Sequence, residues 1–142
     1  MSIEKDQALL LKAFHKIIHQ LELAHQSEYR LLFAGDGEER ESLERLAREL
    51  NIERYVSFLG VREDIPDILT CLDVYVQSSR REGLPIIILE AMAAQRVIVA
   101  TKAGGIAKVL KDQESARLVD IGDMEGLSLA IKEVIQDRLR AK

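Results

Sequence analysis

The sequence predicts an α/β protein with a mainly parallel sheet and helices on both faces. Short apolar stretches typical of strands alternate with longer stretches whose apolar residues recur at helical spacing. Glycine-containing turns follow several of the strand-like stretches. Strands separated by helices indicate βαβ units, and the length of 142 residues fits one domain, residues 1–142, with a core of its own.

The first half of the chain supplies two helices and one strand. Between residues 6 and 25, apolar side chains recur every three or four positions, which predicts an amphipathic helix. Residues 29–34 are a short apolar run that ends at a Gly-Asp-Gly turn, as expected of a strand. A charged helix is predicted next, with a buried stripe made of Leu43, Leu46, Ala47 and Leu50.

The alternation continues to the end of the chain. Residues 55–59 are predicted to be a strand, residues 64–72 a short helix and residues 73–77 another strand. Residues 97–101 form an apolar strand, a brief helix ends at Leu110, and residues 116–119 form the last strand. Asp123 is predicted to cap a terminal helix, because its carboxylate can accept from free N–H groups in the first turn.

The composition argues against several classes of partner and indicates the cellular compartment. The net charge of −4 gives no electrostatic reason to expect nucleic acid or an anionic membrane as a partner. Cys71 is the single cysteine, which indicates a reducing compartment, and it is expected to be a small core residue. No apolar run is long enough to cross a bilayer, so we expect a cytoplasmic protein.

Residues 81–94, REGLPIIILEAMAA, carry the strongest functional signal. Pro85 suits the first turn of a helix, and the apolar run after it predicts a helix buried on most of its faces. Glu90 inside that run then needs a polar partner, and a buried ion pair is one alternative. Glu82 lies at the start of the helix, where free N–H groups favour anions such as phosphate.

Other candidate sites are less specific. Gly35-x-Gly37 after a strand resembles a dinucleotide fingerprint, but the third glycine is absent and acidic residues follow, which argues against a nicotinamide site. His15 and His19 lie one helical turn apart, yet no third ligand with suitable spacing is evident, so no metal site is expected.

Three segments together resemble the C-terminal domain of family 4 (group 1) glycosyltransferases. These are LLFAGDGEERESLERLARELNIERYVSFLG, DVYVQSSRREGLPIIILEAMAA and VIVATKAGGI, in the family's order and over nearly the whole chain. The resemblance implies the C-terminal half of a GT-B fold. It also implies an enzyme that transfers a sugar from a UDP- or GDP-linked donor with retention of configuration. The donor is a substrate, and no cofactor or metal is implied.

The resemblance assigns roles to single residues. Lys5 matches a lysine that contacts the donor diphosphate, although an ordinary exposed lysine is the alternative. Glu82 matches the glutamate beside the donor sugar, and Glu90 the one that holds the ribose hydroxyls. Further donor contacts fall on Gly35, Arg62, Gly83 and Leu84, with Arg62 in the loop near the base.

The chain also departs from the family pattern. Gln95 stands where glycine is usual, and Ala107 and Lys108 stand where proline and an acidic residue are usual. The acceptor-binding N-terminal domain and the first central strand have no counterpart in these residues. We therefore expect either a gap in the sheet, or direct pairing of the two strands that flank it, or self-association in which another chain supplies a strand. We also expect weak or no transferase activity from these residues alone. The acceptor, a sugar or a lipid-linked sugar, would bind the absent domain.

Two other functions stay open. The chain is either a non-catalytic nucleotide-binding remnant or the partner of a separate chain that carries the acceptor domain. An epimerase or phosphorylase of the same architecture is disfavoured by the EGLP and EAMAA motifs.

Overall fold

A computed structural model describes residues 1–83 and 85–140. It contains five strands, which are β1 (Leu31–Ala34), β2 (Val56–Gly60), β3 (Val74–Gln77), β4 (Val97–Thr101) and β5 (Arg117–Val119). The α-helices are α1 (Gln7–Gln20), α2 (Leu23–Gln26), α3 (Arg40–Glu49), α4 (Ile65–Cys71), α5 (Ile86–Ala93), α6 (Ile106–Val109) and α7 (Met124–Arg140). Short 3-10 helices cover Ile3–Lys5 and Glu53–Tyr55.

The strands form two parallel sheets. One sheet pairs β1 with β2, and the other has the order β3-β4-β5. Helical crossovers connect the parallel strands, which confirms the predicted α/β class. Among the described residues β1 and β3 do not pair with each other, so of the expected outcomes it is the gap between them that is observed.

A groove occupies this gap. Its volume is about 430 Å³, and its walls come from β1, from β3 and from α4. Most of the lining side chains are apolar, among them Leu31, Phe33, Leu69, Val74 and Val76. Neither β1 nor β3 has a strand partner on its groove side among the described residues, since β1 pairs only with β2 and β3 only with β4.

The core lies on both faces of the β3-β4-β5 sheet. Successive β4 side chains point to opposite faces, so Val99 packs with α1 and α7 while Ile98 and Ala100 pack with α4, α5 and α6. The first cluster contains the fully buried Leu11 and Leu127, and the second contains Ile88 and Ile106. Helices on both faces are as predicted.

Two local predictions about the helices have clear outcomes. The Gly126 N–H donates to Asp123 Oδ1 at 2.8 Å, which confirms the predicted cap of α7. The helix predicted for residues 6–25 is interrupted, because Leu21 adopts an extended conformation with φ −87° and ψ 149° between α1 and α2. No helix of the described chain is both long and apolar enough to cross a membrane.

Two burial predictions are wrong. Ile88 and Ala91 of α5 are buried, but Ile86 is 66% and Leu89 is 43% exposed. The apolar run of α5 thus has a solvent-facing side, because no described element packs over it. Cys71 is also exposed, at the last residue of α4, rather than part of the core.

Candidate functional site

The turns that follow the strands meet in two pairs at the carboxyl edge of the sheets. The Gly35 N–H donates to the Gly60 carbonyl at 2.7 Å, and the Gly105 N–H donates to the Glu82 carbonyl at 3.3 Å. A Cβ added to Gly105 would overlap with the Gly83 carbonyl, so this close approach requires glycine. Ligands bind at such an edge in open α/β sheets.

The segment before α1 is fastened to the turn after β3. The Arg80 N–H donates to the Glu4 carbonyl at 2.7 Å, and the Arg80 Nε donates to Asp6 Oδ2 at 2.8 Å. The Ser78 hydroxyl lies 3.0 Å from the carbonyl oxygens of both Lys5 and Asp6. These contacts bring Lys5 next to Glu82.

Glu82 is held through one of its two oxygens. Its Oε1 accepts from Lys5 Nζ at 2.5 Å, from Gln77 Nε2 at 2.5 Å and from Ser79 Oγ at 2.6 Å. The Glu82 side chain is 8% exposed, whereas the Lys5 side chain is 45% exposed. No described residue donates a hydrogen bond to Oε2 of Glu82.

These neighbours shift the pKa of the Glu82 side chain. Partial burial alone would raise the pKa of Glu82, but hydrogen bonds from Lys5, Ser79 and Gln77 and the charge of Lys5 outweigh it. The pKa of Glu82 is therefore lowered, and the group is a carboxylate at neutral pH.

Tyr75 is linked to the Glu82 site through Gln77, because its hydroxyl donates to Gln77 Oε1 at 2.6 Å. Burial is the main cause of a raised pKa for its hydroxyl, and the charges of Glu82 and Glu90 raise that pKa further. Tyr75 thus stays protonated across the physiological range and acts as a hydrogen-bond donor.

Sequence reasoning missed the residues beneath Glu82. Gln77 and Ser79 are both buried, and Thr101 Oγ1 donates to the Ser79 carbonyl at 2.6 Å. Gln77 ends β3, a strand that is otherwise apolar or aromatic. The sequence did contain a signal for these residues. Gln77 is a polar residue at an inward position of the strand, and a serine follows two residues later.

The remaining predicted site residues that the structure describes form no hydrogen bond with the Glu82 carboxylate. Glu90 is exposed on α5, and no described residue forms an ion pair with it, so the buried ion pair is not observed. Arg62 is engaged by Asp64 at 2.8 and 2.6 Å and does not contact Glu82. Gly83 is exposed next to Glu82, and Leu84 lies outside the described residues.

The histidine pair has no further ligand in the described part of the chain. The rings of His15 and His19 are 4.3 Å apart between centroids and meet edge to face. No group of three or more histidine, cysteine, aspartate or glutamate side chains suited to a metal ion occurs among the described residues.

Known proteins resemble this chain over most of its length. It is 37% identical over 126 residues to the lipopolysaccharide core biosynthesis glycosyltransferase LpsE of Rhizobium meliloti, covering 89% of this chain and 36% of that protein. It is 31% identical over 134 residues to the putative glycosyltransferase EpsD of Bacillus subtilis, covering 94% and 34%. The chain thus spans about a third of the length of these relatives.

A solved structure shares the fold. HepE of Anabaena, crystallised with UDP-glucose, superposes with a TM-score of 0.86 at 28% identity and covers 98% of this chain and 38% of its own. WaaG, a glycosyltransferase involved in lipopolysaccharide biosynthesis, has a TM-score of 0.81 at 20% identity, which shows the fold alone. The family of group 1 glycosyl transferases matches residues 1–142, and the chain belongs to that family.

Proposed function

We propose that residues 1–142 form the donor-binding, C-terminal half of a retaining glycosyltransferase that uses a nucleotide-sugar. The observation that carries this proposal is the Glu82 site. A carboxylate with one anchored and one free oxygen lies at the carboxyl edge of parallel strands, beside a half-exposed lysine. Such an arrangement offers a hydrogen-bond acceptor to a sugar and a cation to its diphosphate.

Each side chain has a separate role in this proposal. Lys5 uses one N–H on Glu82 and has two more for the diphosphate, because an ammonium carries three donors. Free N–H groups in the first turn of α5 add to the attraction for the diphosphate. Glu90 holds the ribose, since its exposed carboxylate can accept from two hydroxyl groups. Gly35, Gly83 and Leu84 supply backbone contacts, and Arg62 lies near the base.

The reaction breaks the bond between the anomeric carbon and the diphosphate oxygen. Lys5 offsets the charge that develops on the departing diphosphate, and the Glu82 carboxylate stabilises positive charge on the sugar ring. The acceptor hydroxyl attacks from the face that the diphosphate leaves, and its proton passes to the diphosphate oxygen. Configuration is retained, and no metal or cofactor takes part.

The relatives support the donor class. HepE, 28% identical, binds UDP-glucose. A relative from Escherichia coli, 29% identical over 109 residues, is a UDP-Gal:alpha-D-GlcNAc-diphosphoundecaprenol alpha-1,3-galactosyltransferase. From these relatives we infer that the donor is linked to UDP rather than to GDP. We also infer that the acceptor is a sugar or a lipid-linked sugar, and that it binds a separate N-terminal domain. Residues 1–142 alone then bind the donor without transferring its sugar.

Calorimetry tests the proposal. UDP, GDP and their glucose and mannose conjugates are titrated into the chain, with Glu90→Ala as the site variant and Glu133→Ala on α7 as the control. We expect saturable binding of a UDP compound, weakened in Glu90→Ala and unchanged in Glu133→Ala. Absence of binding by every nucleotide would contradict the proposal.

The groove between the sheets favours a second proposal, self-association. Both facing strand edges are free of strand partners among the described residues, and unpaired edges recruit strands from other chains. Leu32→Lys places a charge in the groove, whereas Leu23→Lys places one on α2 outside the groove, at a residue that is itself exposed. Sedimentation should show a dimer that Leu32→Lys dissociates and Leu23→Lys does not. A monomeric wild type at high micromolar concentration would exclude self-association.

A further inference from the structure

We propose that Gln77, held in place by Tyr75, is a positioning residue that fixes the Glu82 carboxylate so that Oε2 faces the ligand. This inference rests on the proposed function for the identity of the ligand, but the hydrogen bonds that carry it do not. They form a chain from the middle of β3 to the site.

The chain of hydrogen bonds has one consistent direction. The Tyr75 hydroxyl donates to Gln77 Oε1 at 2.6 Å, and Gln77 Nε2 donates to Glu82 Oε1 at 2.5 Å. Reversing the Gln77 amide would place its oxygen against the Glu82 carboxylate, two acceptors without a proton between them. Tyr75 and Glu82 therefore hold the amide in one orientation.

The strand makes this arrangement possible. Residues two apart on a strand point to the same face, so Tyr75 and Gln77 lie side by side. Burial of Gln77, which is 5% exposed, keeps water from competing for its amide. Gln77 Nε2 also lies 3.4 Å from Ser79 Oγ, so these two donors to Oε1 of Glu82 are neighbours.

A buried amide is costly unless it is fully paired. An apolar residue would fill this position of β3 without that cost, so packing alone does not account for Gln77. A role in positioning Glu82 accounts for Gln77, because three donors on Oε1 leave the Glu82 carboxylate little freedom to rotate. Oε2 is then a fixed acceptor, suited to a sugar hydroxyl and not to a phosphate oxygen.

Titration of the Glu82 side-chain carboxyl carbon by NMR tests the inference without any ligand. The variants are Gln77→Met, which keeps the length of the side chain, and Tyr75→Phe, which keeps the ring. Tyr55→Phe is the control, because the Tyr55 hydroxyl donates to Gln26 Oε1 at 3.0 Å at a separate buried site. Lys5, the charged group that faces Glu82, is present in all of them.

The pKa of Glu82 should rise towards the ordinary glutamate value in Gln77→Met and, by a smaller amount, in Tyr75→Phe. Tyr55→Phe should leave it unchanged. A purely structural role for Tyr75 would lower stability in both tyrosine variants and leave the pKa of Glu82 as it is. That outcome, or an unchanged pKa in Gln77→Met, would overturn the proposal.

Affinities for UDP-glucose and UDP provide the second readout. We expect Gln77→Met to weaken UDP-glucose binding about three- to tenfold, the worth of one hydrogen bond, with UDP affinity unchanged. Equal losses for both ligands would contradict a role at the sugar. If the wild type binds neither ligand, the proposed function fails, while the titration still decides the role of Gln77.

Discussion

Lys5 Nζ lies 2.5 Å from Oε1 of Glu82, although the two residues are 77 positions apart in the chain. The contact joins the segment before α1 to the turn between β3 and α5. Both residues are proposed ligands of the same donor, one at the diphosphate and one at the sugar. The fold thus brings the two side chains together in one site.

Removing the lysine ammonium should weaken nucleotide binding. Lys5→Ala deletes the cation proposed to face the diphosphate, and charged hydrogen bonds contribute about 1.5–3 kcal/mol, so affinity for UDP-glucose should fall about tenfold or more. Lys12→Ala, on the exposed side of α1, is the matched control. Isothermal titration checks both variants, and equal affinity in Lys5→Ala and wild type would remove Lys5 from the site.

Acid should weaken the fold through Glu82. Because the folded state lowers the pKa of Glu82, its carboxylate stabilises the protein above the unfolded-state pKa. This contribution is lost as the pH falls from roughly 4.3 through the lowered folded-state value. Glu82→Gln cannot ionise, so its free energy of unfolding should depend less on pH in that window. Parallel pH profiles of the two proteins would contradict the assignment.

The sequence predicted the order of the elements because each local pattern is strong. Residues 97–101 are a continuous apolar run, and they form β4 as expected. The burial of α5 was mispredicted because its composition is apolar on all sides, whereas burial depends on which elements pack over each side. The periodicity of apolar residues within α5 carries no information about which other elements pack against it.

The candidate site was predictable only in part. The contact between Glu82 and Lys5 is consistent with the two roles that the family resemblance implies. Gln77 and Tyr75 were not found, because their importance depends on which strand face meets the turn after β3. A one-residue change of register would turn both side chains away from Glu82.

Close packing of two turns makes Gly105 sensitive to substitution. Gly105→Ala adds a methyl group that overlaps with the Gly83 carbonyl, and overpacking of this kind typically costs 1–3 kcal/mol, so we expect a loss of about that size. Gly83→Ala meets no described atom within 4 Å and should change stability by roughly 0.5 kcal/mol or less. Urea denaturation measures both. Equal stability of the two variants would indicate that the turns are not in close contact.

The cap of α7 offers a test of the fold away from the site. Asp123→Ala removes the acceptor of the Gly126 N–H, and loss of such a cap costs about 1 kcal/mol. Asp123→Ser should restore most of that stability, since a hydroxyl can accept the same hydrogen bond. Thermal unfolding distinguishes the variants, and an alanine variant as stable as wild type would mean that Asp123 does not cap α7.

The central claim is that a nucleotide-sugar binds where Lys5 and Glu82 meet, at the carboxyl edge of β3. Amide NMR spectra of the labelled chain, recorded during a titration with UDP-glucose, test it most directly. We predict saturable shifts at Lys5, Glu82, Gly83 and Gly105, with the amides of α7 unaffected. Absence of shifts, or shifts confined to residues away from that edge, would contradict the claim.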